Sequence, residues 1–178
     1  MKKLAVLLAV SLCLQVYAQN PQKEKPMTLK AVLLDQLKTT HNQEDWFVPA
    51  NIAVEGLTAE QASWKSSAGH SVGQLTYHLV FWDRQTLAKF KGETPAKFSG
   101  NNEETFNNFD SKKWQDTVRE LDEVMTEWEK AVESADDKKI AEWASTIARI
   151  GTHNAYHIGQ IISVRKEQGS WNPAKGVK

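Results

Sequence analysis

Apolar residues recur at spacings of three and four along most of this chain, which is the pattern of amphipathic helices. In the first such segment Thr28 suits an N-cap, and Leu29, Val32, Leu33 and Leu37 form one stripe. The regularity ends around HNQEDWFVP and resumes in a short helix, ANIAVE, that begins with Pro49 in its first turn and ends at Gly56.

Three longer helices follow. We expect one from the Ser71 cap to about Lys91, one from Ser111 to about Glu133, and a last one from Lys138 to Gln168, closed by Gly169. Residues 92–110 are rich in turn formers and predict a long crossing loop, which lets neighbouring helices of a bundle run parallel. No segment shows the strict alternation of a β-hairpin, so the pattern predicts an all-α protein.

The first residues, MKKLAVLLAVSLCLQVYAQ, have the features of a signal peptide: Lys2 and Lys3, an apolar stretch from Leu4 to Leu14, and small residues before a cleavage site after Ala18. The apolar stretch is shorter than the ~20 residues that span a membrane. We therefore expect a signal peptide at 1–18, a disordered leader at 19–27 and one domain at 28–178. Cleavage would leave the mature protein in the periplasm or outside the cell, with no membrane anchor.

Charge and cysteine usage narrow the functions. Removal of residues 1–18 leaves 20 basic and 22 acidic side chains, a formal charge of −2, and takes away the one cysteine. A nearly neutral surface argues against a nucleic-acid partner, since such binding needs a basic patch. Without cysteine there is no disulfide and no thiolate ligand, so histidine and oxygen donors must bind any metal.

Histidine spacing is the strongest chemical signal in the sequence. His153 and His157, in GTHNAYHIGQIISVRK, are four residues apart and leave one helix face together. His78, in the apolar helical segment SVGQLTYHLVFWD, is the natural third ligand. Three neutral imidazoles leave coordination positions open, as in catalytic metal sites, and suit Zn or Ni as well as Cu or Fe. The alternative is a hydrogen-bonded helix face without metal.

The helical neighbours of these ligands include no obvious general base and no HExxH motif. They are Arg149, Asn154, Tyr156 and Gln160. Arg149 lies one turn before His153, where it suits either an anionic substrate or the solvent, and the sequence does not decide between them.

Four other residues have weaker claims to the site. His41 and Trp46 lie at the break in the first helical region, and a surface position is favoured for His41 over the border of a pocket. We interpret His70 as part of the approach to the helix cap at residue 71. Trp82, one turn after His78, is expected in the core rather than lining the site.

The blocks WKSSAGHSVGQLTYHL, WQDTVRELDEVMTEW and HNAYHIGQIISVRKEQGSW resemble the DinB/YfiT superfamily over nearly all of the mature chain. The resemblance implies a four-helix bundle with up-down-down-up topology that holds one divalent metal through His78, His153 and His157. It also implies functional breadth: similar proteins include transferases and isomerases that use bacillithiol or mycothiol, and metal-dependent hydrolases.

Two function classes remain open. One is a metal-dependent hydrolase or thiol-independent transferase acting on a small molecule, because low-molecular-weight thiols are scarce outside the cytoplasm. The other is a non-catalytic metal- or ligand-binding bundle of the cell envelope, and a homodimer is compatible with either. A carboxylate or tyrosine close to the metal would favour the enzyme, whereas a closed ligand shell would favour the binding protein.

Overall fold

The computed structural model describes residues 26–65 and 69–176, and within these ranges it is all-helical, as the sequence predicts. Its only β-type pairing there is an isolated bridge between Lys65 and Ser71. The seven α-helices are α1 (Leu29–His41), α2 (Ala50–Val54), α3 (Ala59–Ser63), α4 (Val72–Lys91), α5 (Glu104–Asn107), α6 (Trp114–Ser134) and α7 (Asp137–Gln168), with 3-10 turns at Ser111–Lys113 and Pro173–Lys175.

The four long helices form a bundle. α1 packs on α6 and α7, and α4 packs on the same two helices from the other side. Gln36 of α1 packs over Gly151 of α7, where an added Cβ would lie 2.6 Å from the side-chain carbonyl carbon of Gln36 and would displace that side chain. The up-down-down-up topology of the bundle stays a prediction.

Local capping chemistry sets the helix ends where the sequence predicts them. Thr28 and Ser71 accept hydrogen bonds from backbone amides of the first turns of α1 and α4. Gly92 and Gly169 adopt left-handed conformations after α4 and α7, with φ of 82° and 78°. Asp136 caps α7 and separates it from α6.

Several details differ from the prediction. Leu33 and Leu37 are buried, but Leu29 and Val32, on the first turn of α1, are about half exposed. Pro49 occupies the N-cap of α2 rather than its first turn. The segment between α2 and α4 contains the unpredicted helix α3, and the crossing loop contains α5. These elements are only four or five residues long, too short for a helical period to be visible.

The prediction of a surface position for His41 is wrong. The residue is buried, with 1% of its surface exposed. Its Nδ1 lies 2.6 Å from a carboxylate oxygen of Glu129, and its Nε2 lies 2.9 Å from one of Asp122. Asn51 donates to the same Asp122 oxygen at 2.8 Å. The imidazole therefore connects the end of α1 to α6 through two carboxylates, and this connection makes its burial tolerable.

The predicted signal peptide, and most of the predicted leader, lie outside the described residues. None of the helices described in residues 26–65 and 69–176 is long and apolar enough to cross a membrane.

Candidate metal centre

The three predicted histidines converge between α4 and α7. His78 comes from the middle of α4, and His153 and His157 lie one turn apart on α7. One ring nitrogen from each lies within 4.8 Å of the others, and Nε2 of His78 is 3.2 Å from Nε2 of His153. His78 and His157 are buried, and His153 is half-buried. The fold thus brings together side chains that are 75 residues apart in the chain.

The orientation of His78 is fixed by α5. Nδ1 of His78 lies 2.6 Å from Oγ1 of Thr105, and this hydroxyl donates its own proton to the backbone carbonyl of Asn102, also at 2.6 Å. Oγ1 therefore accepts from His78, which assigns the imidazole proton to Nδ1. The lone pair of Nε2 is left to face the other histidines, as a metal ligand requires.

His157 is oriented by a neighbour on its own helix. Its Nδ1 lies 2.7 Å from Oε1 of Gln160, and Nε2 of that amide donates to the hydroxyl oxygen of Tyr156 at 3.2 Å. An amide oxygen only accepts, so His157 also carries its proton on Nδ1 and presents Nε2. Two of the three imidazoles are thus held in the tautomer that binds metal.

Phe106, also on α5, is stacked between two histidines. Its ring centroid lies 3.9 Å from that of His78 and 3.9 Å from that of His70, with interplanar angles of 7° and 4°. His70 precedes the cap of α4, as expected, but it also lines the pocket above the histidines. The stack fixes the plane of the His78 ring.

Electrostatics favour neutral imidazoles. Burial, with the proximity of His157 and His153, lowers the pKa of His78 to about 3. Burial first, then proximity to His153, lowers the pKa of His157 to about 4, and burial also lowers the pKa of His153. These shifts favour the neutral form of each ring, in which one nitrogen carries no proton and can coordinate a cation.

These residues fit a divalent metal. Two nitrogens bound at ~2.1 Å to one tetrahedral ion lie ~3.4 Å apart, close to the 3.2 Å between His78 and His153. The same distance suits a hydrogen bond donated by His153, which an ion would replace. The three histidines could therefore hold a metal ion, and the donor set excludes none of the metals that prefer imidazole.

A pocket of about 660 Å³ opens over the histidines. Its wall includes Trp82 and Glu103 opposite α7, and Arg149 and Tyr156 on α7. Trp82 is half-buried and lines the pocket, contrary to the expectation of a core position. A larger cavity of about 790 Å³ lies elsewhere along α7, but the described residues that line it include neither a histidine nor a carboxylate.

Two residues that the sequence analysis considered near the site, Trp46 and Asn154, lie away from the pocket. Trp46 is 89% exposed and does not contribute to the described lining. Asn154 is buried on the core side of α7, where its amide donates to Asp83 at 3.1 Å.

A family model for the DinB superfamily matches residues 50–161, well over half of the 178 residues and all three histidines. The chain belongs to the DinB superfamily. No curated protein and no solved structure matches it. The family membership predicted from the histidine-bearing blocks is thereby confirmed.

Sequence reasoning missed the residues of this DinB protein that come from the crossing loop. Thr105, Phe106 and Glu103 all lie in or beside α5, and each contacts a histidine or lines the pocket. The available signal was Phe106, one of three phenylalanines, with Phe98 and Phe109, in an otherwise mostly polar loop. An aromatic residue at such a position indicates packing against something, but it does not say against what.

Proposed function

We propose that this DinB protein is a secreted metal-dependent enzyme. In this proposal a four-helix bundle of up-down-down-up topology binds one divalent ion, Zn or Ni, through His78, His153 and His157, and acts as a hydrolase or thiol-independent transferase on a small molecule. The supporting observation is that the three imidazoles converge under an open pocket, two of them held by hydrogen bonds in the tautomer that binds metal.

The chain's own residues supply the remaining functions in this proposal. A bound divalent ion would supply Lewis-acid activation of an oxygen atom. Tyr156 lines the pocket as a hydroxyl donor, and Glu103 and His70 line it as proton acceptors. A Glu103 carboxylate oxygen lies 3.9 Å from Nε2 of His70. A carboxylate and a tyrosine in the same pocket favour an enzyme over a binding protein.

Metal titration of variants tests the ligand set. His157→Ala should abolish stoichiometric zinc binding in calorimetry while most helicity remains, because the apolar core stabilises the bundle more than an open three-ligand site does. His70→Gln is the matched control, since it changes a pocket histidine outside the ligand set and should keep one ion per chain. Unchanged affinity in His157→Ala would remove that residue from the ligands.

Turnover separates the two function classes. Hydrolysis of a panel of activated esters, amides and lactones by the zinc-loaded protein, lost in His157→Ala, would support the enzyme. Stoichiometric metal binding with no turnover on any member would favour the non-catalytic bundle of the cell envelope.

We propose further that the chain is cleaved after Ala18 and acts in the periplasm or outside the cell. The support is the sequence alone: Lys2, Lys3 and the apolar stretch that follows them. Intact-mass analysis of protein from fractionated cells tests the cleavage. Under this proposal the metal-loaded protein does not conjugate bacillithiol or mycothiol to electrophiles, and robust thiol transfer would contradict it.

A further inference from the structure

The α7 wall of the pocket has two edges of different chemistry. Successive residues turn by about 100°, so Arg149 and Tyr156 lie nearly above one another, about 20° apart around the helix. His153 and His157 are rotated from them toward α4 by about 40–100°. All four line the pocket. The histidines thus form its inner edge, and Arg149 and Tyr156 form its outer edge.

Arg149 is unpaired on this outer edge. Arg84 and Arg119 form ion pairs with carboxylates at 3.1 and 2.8 Å, and Arg165 donates to the backbone carbonyl of Ala53 at 2.6 Å. The guanidinium of Arg149 contacts no carboxylate or carbonyl within residues 26–65 and 69–176. It is therefore the one described arginine whose five donors remain available to a ligand.

Tyr156 adds a second donor to this outer edge, two turns or ~10.5 Å further along α7. Oε1 of Gln160 accepts a hydrogen bond from Nδ1–H of His157, and the NH₂ group of the same amide donates to the phenolic oxygen of Tyr156. The phenol therefore accepts one bond from the protein, and its own proton has no acceptor in the part of the chain that the structure describes. Tyr156 is 63% exposed, so that proton is accessible from the pocket.

The cationic fork of Arg149 matches the two oxygens of a carboxylate. The pocket also offers the apolar side chains of Trp82, Phe106 and Ile150 to a hydrocarbon segment. We propose that the pocket selects small molecules that carry a carboxylate, which Arg149 binds about one helical turn, ~6 Å along α7, before His153 and the group presented to the three histidines. This inference rests on the proposed metal function and names its substrate class.

Hydroxamic acids test the inference because a hydroxamate chelates zinc and can carry a distal group. The probes are the monohydroxamates of succinic, glutaric and adipic acid, each compared with its neutral carboxamide, on the zinc-loaded full chain by calorimetry. At least one carboxylate should bind about tenfold tighter than its carboxamide, as expected for a charge-assisted hydrogen bond.

Three variants localise the preference. Arg149→Gln should reduce the carboxylate-to-carboxamide ratio to near one without changing the affinity for the carboxamide. Tyr156→Phe, two turns of α7 from Arg149, should reduce the ratio less than Arg149→Gln does. Arg119→Gln, on the exposed face of α6, removes the same charge and should keep the wild-type ratio.

The outcomes distinguish a failure of the carboxylate site from a failure of the proposed metal centre. If both probes of every pair bind equally to the wild type, or if Arg149→Gln keeps the preference, the carboxylate site is wrong while the metal centre stands. If the protein takes up no zinc and binds neither probe, the metal centre itself is wrong, and this inference fails with it.

Discussion

Asp83 provides the sharpest test of the energetics of this bundle. It lies fully buried on α4. One oxygen accepts a hydrogen bond from Asn154 at 3.1 Å, and the other oxygen has no partner among the described residues. Burial raises the pKa of Asp83 from its ordinary 3.8 to about 7, against the smaller lowering by the Asn154 hydrogen bond.

The sign of the stability effect follows from proton binding. Below pH 3.8 both states hold the proton of Asp83, so its titration has no effect. Between pH 3.8 and about 7 the unfolded chain releases that proton while the folded chain retains it, so the folded state loses stability as the pH rises. The three pH units between these values, at ~1.4 kcal/mol each, amount to about 4 kcal/mol, reached above pH 7.

Asp83→Asn should therefore stabilise the protein by up to about 4 kcal/mol at pH 8 and have little effect at pH 4, since the amide has the shape of the protonated acid. Urea unfolding of the metal-free wild type and variant, at steps across this range, measures the difference and cancels the titrations that both proteins share. The opposite sign is expected for Asp122→Asn, because the hydrogen bonds from Asn51 and His41 lower the pKa of Asp122. Equal destabilisation by Asp83→Asn at every pH would refute the reasoning.

Three further predictions concern histidines. Thr105→Val should weaken zinc binding by about 10–100-fold in competition with a chelator, because His78 loses the acceptor of its Nδ1 proton; unchanged affinity would exclude that role. His41→Ala should lower the free energy of unfolding by about 2–3 kcal/mol in urea titrations, less than for a fully buried pair because Asp122 is 54% exposed; a loss below ~0.5 kcal/mol would contradict it. Since burial lowers the pKa values of His78 and His157 to about 3 and 4, the metal-free Asp83→Asn variant, which lacks the opposing titration of Asp83, should lose stability as the pH falls from ~6.5 to ~4, and an unfolding midpoint constant over that range would count against it.

The long helices and the histidine cluster were predictable because their signals are local. Thr28, Ser71 and Gly169 mark helix ends through chemistry within one turn, and a period of three and four residues persists along α4, α6 and α7. The HxxxH spacing needs only a helix to place His153 and His157 together.

The remaining parts of the site depend on contacts between distant segments. The burial of His41 depends on Asp122 and Glu129, 81 and 88 positions away, whose carboxylates lie within hydrogen-bond distance of its two ring nitrogens. Thr105 reaches His78 across 27 positions from a helix of four residues. Neither pairing leaves a periodic signal, and the fixed tautomer of His78 follows only from the second of them.

The crossing loop between α4 and α6 supplies one wall of the pocket and α7 supplies another. The two walls differ in how freely their residues can be substituted. The wall on α7 carries His153 and His157 and must keep its helical spacing. The opposite wall includes Glu103 and Phe106 of the loop, whose exposed neighbours have few structural obligations. Substitutions at Asn102 and Glu103, the exposed residues of this loop that line the pocket, can therefore reshape what enters it while the bundle and the three histidines remain intact, which makes them the place to begin in redesigning selectivity.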